Sequence, residues 1–108
     1  MKIKLNNQTI ICKNSKNVLQ NAIGLMFQIN PRPILFNNIK TYDLVHMFFV
    51  FYKINIIFLD KENKIIEQKI LYPFISFKKI PKNTNKIIEI PLYKKYRQFK
   101  KIKSIKYF

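Results

Sequence analysis

Residues 44–59 read LVHMFFVFYKINIIFL, and this run limits what the chain can fold into more than any other. It is the most apolar stretch, yet it spans only 16 residues and is broken by His46, Lys53 and Asn55. A membrane-spanning helix needs roughly 18 or more uninterrupted apolar residues. The run is also rich in β-branched and aromatic side chains, which suit a pleated, half-buried surface. It therefore predicts two central strands, 47–51 and 55–59, bent at Tyr52-Lys53, and no membrane span.

The flanking sequence continues in the same style. DKENK, residues 60–64, predicts a hairpin turn with Asn63 at positive φ. The Asp60 carboxylate is placed to accept from amides of that turn. KIIEQKI, 64–70, is the returning strand, and NKIIEIP, 85–91, is another. Pro73 and Pro81 keep FISFKKIP out of a central strand and predict an irregular segment there. YKKYRQFKKIKSIKYF predicts a helical turn and a last strand, IKYF. Upstream, MKIKLNNQTIICK alternates as a hairpin around Asn6-Asn7, and Ile34-Leu35-Phe36 is a short strand after Pro31 and Pro33.

One short helix is expected, near residues 16–23. Ser15 or Asn17 caps it, and Val18, Leu19, Ala22 and Ile23 share its apolar face. Gly24, the chain's single glycine, then takes the position where a left-handed backbone ends a helix without a Cβ clash. The result is a mostly β (α+β) domain with one short helix. A chain of 108 residues with 48% hydrophobic content is expected to form one domain, 1–108, and to be ordered.

Seen together, these segments resemble the domain of unknown function 192 family (the UPF 0127 group), in its archaeal-type branch. The matching residues are Gly24-Leu25-Met26-Phe27, Arg32-Pro33-Ile34-Leu35-Phe36, and His46 with Phe48-Phe49. Ile54 to Asp60, Ile65-Ile66-Glu67 and Ile87-Ile88-Glu89-Ile90-Pro91 complete the set, so the likeness covers about residues 10–108. The chain departs from the pattern at Gln28, where the family has arginine, and at three turns where the family has glycine. The resemblance implies a small barrel-like antiparallel sheet. It implies no established activity, cofactor or substrate.

The formal charge is +16, from 21 basic and five acidic residues, and only Arg32 and Arg97 among the basic ones are arginine. Lysine rises together with isoleucine, asparagine and phenylalanine, the amino acids of A/T-rich codons. Genome-wide drift and a functional charge are both open as its source. Either way the chain attracts anions. In the last segment, Lys94, Lys95, Arg97, Lys100, Lys101 and Lys103 interleave with Tyr and Phe. This pattern reads as a nucleic-acid groove on which bases stack, or as a solvated lysine surface with aromatic undersides.

Other candidate residues are few. One cysteine, Cys12, excludes an intramolecular disulfide and reads as a small buried residue rather than a reactive thiol. His46 is the only side chain with an ordinary pKa near neutrality. It reads as a hydrogen-bonded strand residue, or as part of a ligand site with Arg32 and Asp43. Arg32 offers a bidentate fork that lysine does not. It either clamps Asp43, Asp60 or a carbonyl inside the fold, or faces a cleft that holds His46. Glu67 and Glu89 read as strand residues paired with lysines. No ligand spacing for a metal and no cofactor motif is present. The chain also lacks a signal peptide, so a cytoplasmic location is expected. A non-enzymatic module that binds a ligand or partner leads these readings. The alternatives are a lysine-based binder of anions or nucleic acid, and an enzyme centred on His46.

Overall fold

The computed structural model describes residues 2–15, 32–37, 44–46, 52–73 and 77–107. Its strands are β1 (Lys2–Leu5), β2 (Gln8–Ile11), β3 (Lys13–Ser15), β4 (Ile34–Phe36), β5 (Leu44–His46), β6 (Ile54–Leu59), β7 (Ile65–Leu71), β8 (Phe77–Lys79), β9 (Lys86–Pro91) and β10 (Ile105–Tyr107). They form a five-stranded sheet in the order β3-β4-β9-β6-β7, a three-stranded sheet β10-β1-β2, and the pair β5-β8. The fold is mostly β, as the sequence implies. The expected helix at 16–23, its stop at Gly24, and the strand 47–51 lie outside the described residues.

β6 lies between β9 and β7 in the large sheet, and all six of its residues are buried. That is why INIIFL shows no polar-apolar alternation: both of its faces are covered. On one face Ile54, Ile56 and Phe58 pack with Ile34, Phe36, Ile87, Leu71, Ile80 and Tyr52. On the other, Ile57 and Leu59 pack with Leu35, Ile88 and Ile90. This second cluster is closed by Ile3, Leu5 and Ile10 of the three-stranded sheet and by Phe99 and Ile102 of the C-terminal segment. The small sheet thus lies over one face of the large one, as in a two-layer sandwich. Cys12, between β2 and β3, is buried in the same cluster, and burial pushes its thiol up to about 12. That matches a structural cysteine and not a reactive one.

The turns follow from their asparagines. Asn6 and Asn7 have φ of 48° and 66°, so both central residues of the β1–β2 turn are left-handed. That is the requirement of a two-residue hairpin turn, and asparagine tolerates it better than other non-glycine residues. Asn63 has φ 64°. Its neighbour Asp60 accepts from the Glu62 and Lys64 amides at 2.8 and 2.9 Å through Oδ1, as expected. In the β6–β7 hairpin, Phe58 faces Glu67 and Leu59 faces Ile65, so Ile66 is an extra residue and bulges outward, 39% exposed. Replacing Asn7 with alanine is expected to cost about 1–2 kcal/mol in urea denaturation, because a Cβ crowds the left-handed region. Glycine at the same position is expected to match or exceed asparagine.

Three features differ from the sequence expectation. The sheets do not close into a barrel: β3 and β7 bound an open five-stranded sheet. β3 and β4 run parallel, with Lys13 opposite Ile34. A parallel pair needs a long crossover connection, and residues 16–33 supply it. Finally, FISFKKIP is not wholly irregular: it contains β8, which pairs antiparallel with β5, His46 opposite Phe77. Pro73 and Pro81 flank β8 and lie outside it.

Candidate functional site

The C-terminal segment assembles the most distinctive surface. After β9, the Leu92 amide donates to the Lys53 carbonyl at 2.8 Å, and residues 94–96 form one 3₁₀ turn. Phe99 and Ile102 then plug into the core, 2% and 1% exposed. Little of this segment is in a sheet, so its backbone polar groups need other partners. Side-chain amides provide them. Asn55 Nδ2 donates to the Phe99 carbonyl at 3.0 Å and to the Lys100 carbonyl at 3.3 Å. Gln68 donates from Nε2 to the Ile102 carbonyl at 2.8 Å and accepts the Ile102 amide at Oε1 at 2.9 Å. Asn6 donates to the Lys101 carbonyl at 2.9 Å and accepts the Lys103 and Ser104 amides at 2.7 and 3.3 Å.

These clasps fix the path of the backbone while its cationic side chains point out. Lys94, Lys95, Arg97, Lys100, Lys101, Lys103 and Lys106 are all exposed, and no acidic residue follows Glu89 in the chain. Lys106 belongs to β10, and so stands on the outer face of the three-stranded sheet with further lysines. Lys106 stands directly opposite Lys4, and Lys2 lies two residues along the same strand face. Ile3, Leu5 and Ile10 alternate inward. Two ammonium groups opposed across a ladder destabilise it by a few tenths of a kcal/mol. This pairing of like charges on an ordered sheet is not explained by packing.

Tyr93, Tyr96 and Phe99 of the segment pack toward the core. Phe99 is core. Tyr93 packs against one cluster and lies 6.0 Å from the Tyr52 ring, and Tyr96 packs against the other cluster. Lys94 Nζ sits 5.3 Å from the Tyr93 ring centroid and Lys95 Nζ 5.3 Å from that of Tyr96. Their ring faces therefore hold the protein's own cations. Tyr93 and Tyr96 are thus half-buried rings with an exposed lysine over each.

Glu89 is the residue that sequence reasoning placed wrongly. It sits in β9 opposite Ile34 on one side and Ile56 on the other, and is 6% exposed, not paired with lysines on a surface. Burial pushes its carboxyl up to about 8, so it is largely protonated at neutral pH. Burial first, and the Glu89 charge second, raise the Tyr52 phenol above its usual range. A signal for Glu89 was present: it is the one polar residue in IIEIP, a run apolar on both faces. Glu67 lies on the same sheet face, beyond the intervening strand β6. Two strand spacings put their backbones about 10 Å apart sideways.

Arg32 is exposed, before the buried Pro33 at the entry to β4. Asp60 is occupied with its own turn, so the internal Arg32–Asp60 clamp is not formed. His46 ends β5, but its side chain, like Asp43, lies outside the described residues. Among the described residues no group of three or more His, Cys, Asp or Glu converges as a metal site, and no helix is long and apolar enough to cross a membrane.

No protein-family model and no curated protein matches the chain. The fold is similar to the crystal structure of a protein of unknown function from Novosphingobium aromaticivorans, with TM-score 0.68. The likeness covers 98% of this chain and 82% of that one at 14% identity, a level that shows the fold alone. The chain is thus a small β domain of a kind also found in a protein without an assigned function.

Proposed function

We propose that this chain is a non-enzymatic binding domain of the domain of unknown function 192 family, and that it meets an anionic partner through the cationic face of residues 2–4 and 94–106. Support for the family comes from where its motifs fall. Arg32 to Phe36, Ile54 to Asp60, Ile65 to Glu67 and Ile87 to Pro91 correspond to β4, β6, β7 and β9, four contiguous strands of the large sheet.

The observation that carries the binding role is the clasped basic segment. Three side-chain amides hold its backbone, seven cations project from it, and Lys4 is set against Lys106 in the adjoining sheet. A fixed array of cations binds a polyanion without an ordering cost for the backbone. Binding of a fluorescent polyphosphate chain, followed by anisotropy at about 25 to 300 mM salt, tests this. The logarithm of the association constant is expected to fall linearly with the logarithm of salt, as counterions are released. No binding at the lowest salt, or binding indifferent to salt, would overturn the proposal.

A further inference from the structure

We infer that the partner is the phosphate backbone of double-stranded nucleic acid, contacted without regard to sequence, with Lys4 and Lys106 as the anchoring pair. This inference rests on the anion-binding reading above and narrows it.

The first argument is the choice of cation. The face is built from lysine, with Arg97 its single arginine. Lysine is a compact point charge on a flexible stem, and it neutralises a phosphate well. Reading base edges favours the planar arginine fork or asparagine and glutamine amides. Three amides, Asn6, Asn55 and Gln68, are spent on holding the C-terminal backbone, and the exposed Gln98 donates to the Lys95 carbonyl at 3.3 Å. Contacts to phosphate position a protein on nucleic acid and carry no sequence information.

The second argument separates duplex from single strand. Single-strand binders combine a basic groove with aromatic faces on which bases stack. Phe99 is in the core, and Lys94 and Lys95 cover Tyr93 and Tyr96. Half-buried and each lying beneath a lysine, Tyr93 and Tyr96 offer unstacked bases little ring face.

The third argument is geometric. Lys4 and Lys106 are direct cross-strand neighbours, with Cβ atoms about 5 Å apart. Lys2 follows on the same face at about 7 Å, two residues along a strand. Thr9 completes the row beside Lys4. An oxyanion between Lys4 and Lys106 turns their repulsion into shared attraction, and the neighbouring lysines meet the next charges of a repeating chain. Ile11 is the one large apolar side chain exposed on this face among the described residues, 61%. A surface that dips into a bilayer carries aromatic anchors at that depth, and the described side chains of this face include none.

Fluorescence anisotropy with two labelled duplexes of about 20 base pairs and unrelated sequence, the corresponding single strands, and vesicles containing phosphatidylserine tests the inference. Both duplexes are expected to bind equally, more tightly than the single strands and the vesicles. Lys4→Gln/Lys106→Gln is expected to flatten the log–log salt slope by about two, one for each phosphate that is no longer neutralised. Lys61→Gln/Lys82→Gln, which removes the same charge from two turns outside this face, is expected to leave the slope unchanged. Equal flattening by both pairs would overturn the anchoring assignment in favour of net charge. Preference for one duplex, or for single strands, would overturn backbone recognition of a duplex. Binding to polyphosphate or vesicles without binding to DNA would refute the nucleic-acid inference alone; binding to none of them would refute the anion reading as well. The four lysines are outside the core, so circular dichroism and thermal midpoints of both double variants are expected to match the parent within a few degrees.

Discussion

Replacing Glu89 with glutamine is expected to stabilise the protein at pH 8 by a few kcal/mol and to change its stability little at pH 4. Glu89 is buried in the middle of the large sheet, and burial raises its carboxyl from the usual carboxylate range to about 8. The native state therefore holds a proton that the unfolded chain releases near pH 4.5. Between those two values the native state binds more protons, so stability falls as pH rises. The contribution of Glu89 is fully present below about pH 4.5 and is lost as the pH passes through about 8. A tenfold difference in proton affinity between the two states is worth about 1.4 kcal/mol. Glutamine has the shape of the protonated acid and no charge to bury, so the variant is expected to lose this slope. Urea midpoints of parent and variant across pH 4 to 9 measure it. A parent whose Glu89 contribution is flat over that range would show that the carboxylate is solvated or matched by a cation.

Asn55→Ala is expected to cost about 2–4 kcal/mol and to loosen residues 99–104 before the rest of the sheet. The Asn55 amide is fully buried and holds two carbonyls of a segment more than 40 residues away in the chain. Removing it strands those carbonyls, and each buried polar group left without a partner costs about 1–3 kcal/mol. Hydrogen exchange reads the effect: the amide of Ile102, which donates to Gln68, is expected to lose protection selectively. If the loss is instead uniform across β6, β7 and β9, the amide acts on the sheet and not on the segment.

The same two residues show where the sequence was readable. The β6–β7 hairpin follows from IIFLD, an asparagine at positive φ and KIIEQKI, all local. The β1–β2 turn follows from two consecutive asparagines in the same way. Asn55, by contrast, reads as a break in an apolar run, yet it lies inside a buried strand. Its partners are carbonyls that no local pattern connects to it. Glu89 reads as a lysine partner because the chain is so basic, while its environment is set by strands β4 and β6 on either side of it. β8 was missed for a related reason: its partner β5 lies far earlier in the chain, with His46 opposite Phe77. The basic segment was legible as composition. Its fixed path was not, because Asn6, Gln68 and Asn55 fasten it from three distant places.

The pairing of β1 with β10 has a consequence for synthesis. Ile3 lies opposite Tyr107 and Leu5 opposite Ile105, so the second strand of the chain's first hairpin covers only one edge of β1. Phe99 and Ile102 close the core beneath that sheet. Until residues 99–107 have left the ribosome, one side of β1 and the apolar face of the large sheet remain open. Local hairpins form early, but this closure joins the most distant parts of the chain and is correspondingly slow. A nascent chain stalled short of Phe99 therefore displays an unpaired strand and uncovered isoleucines, a state prone to associate with its own kind. The repeated lysines of such chains repel one another and hold them apart by charge until the last strand arrives.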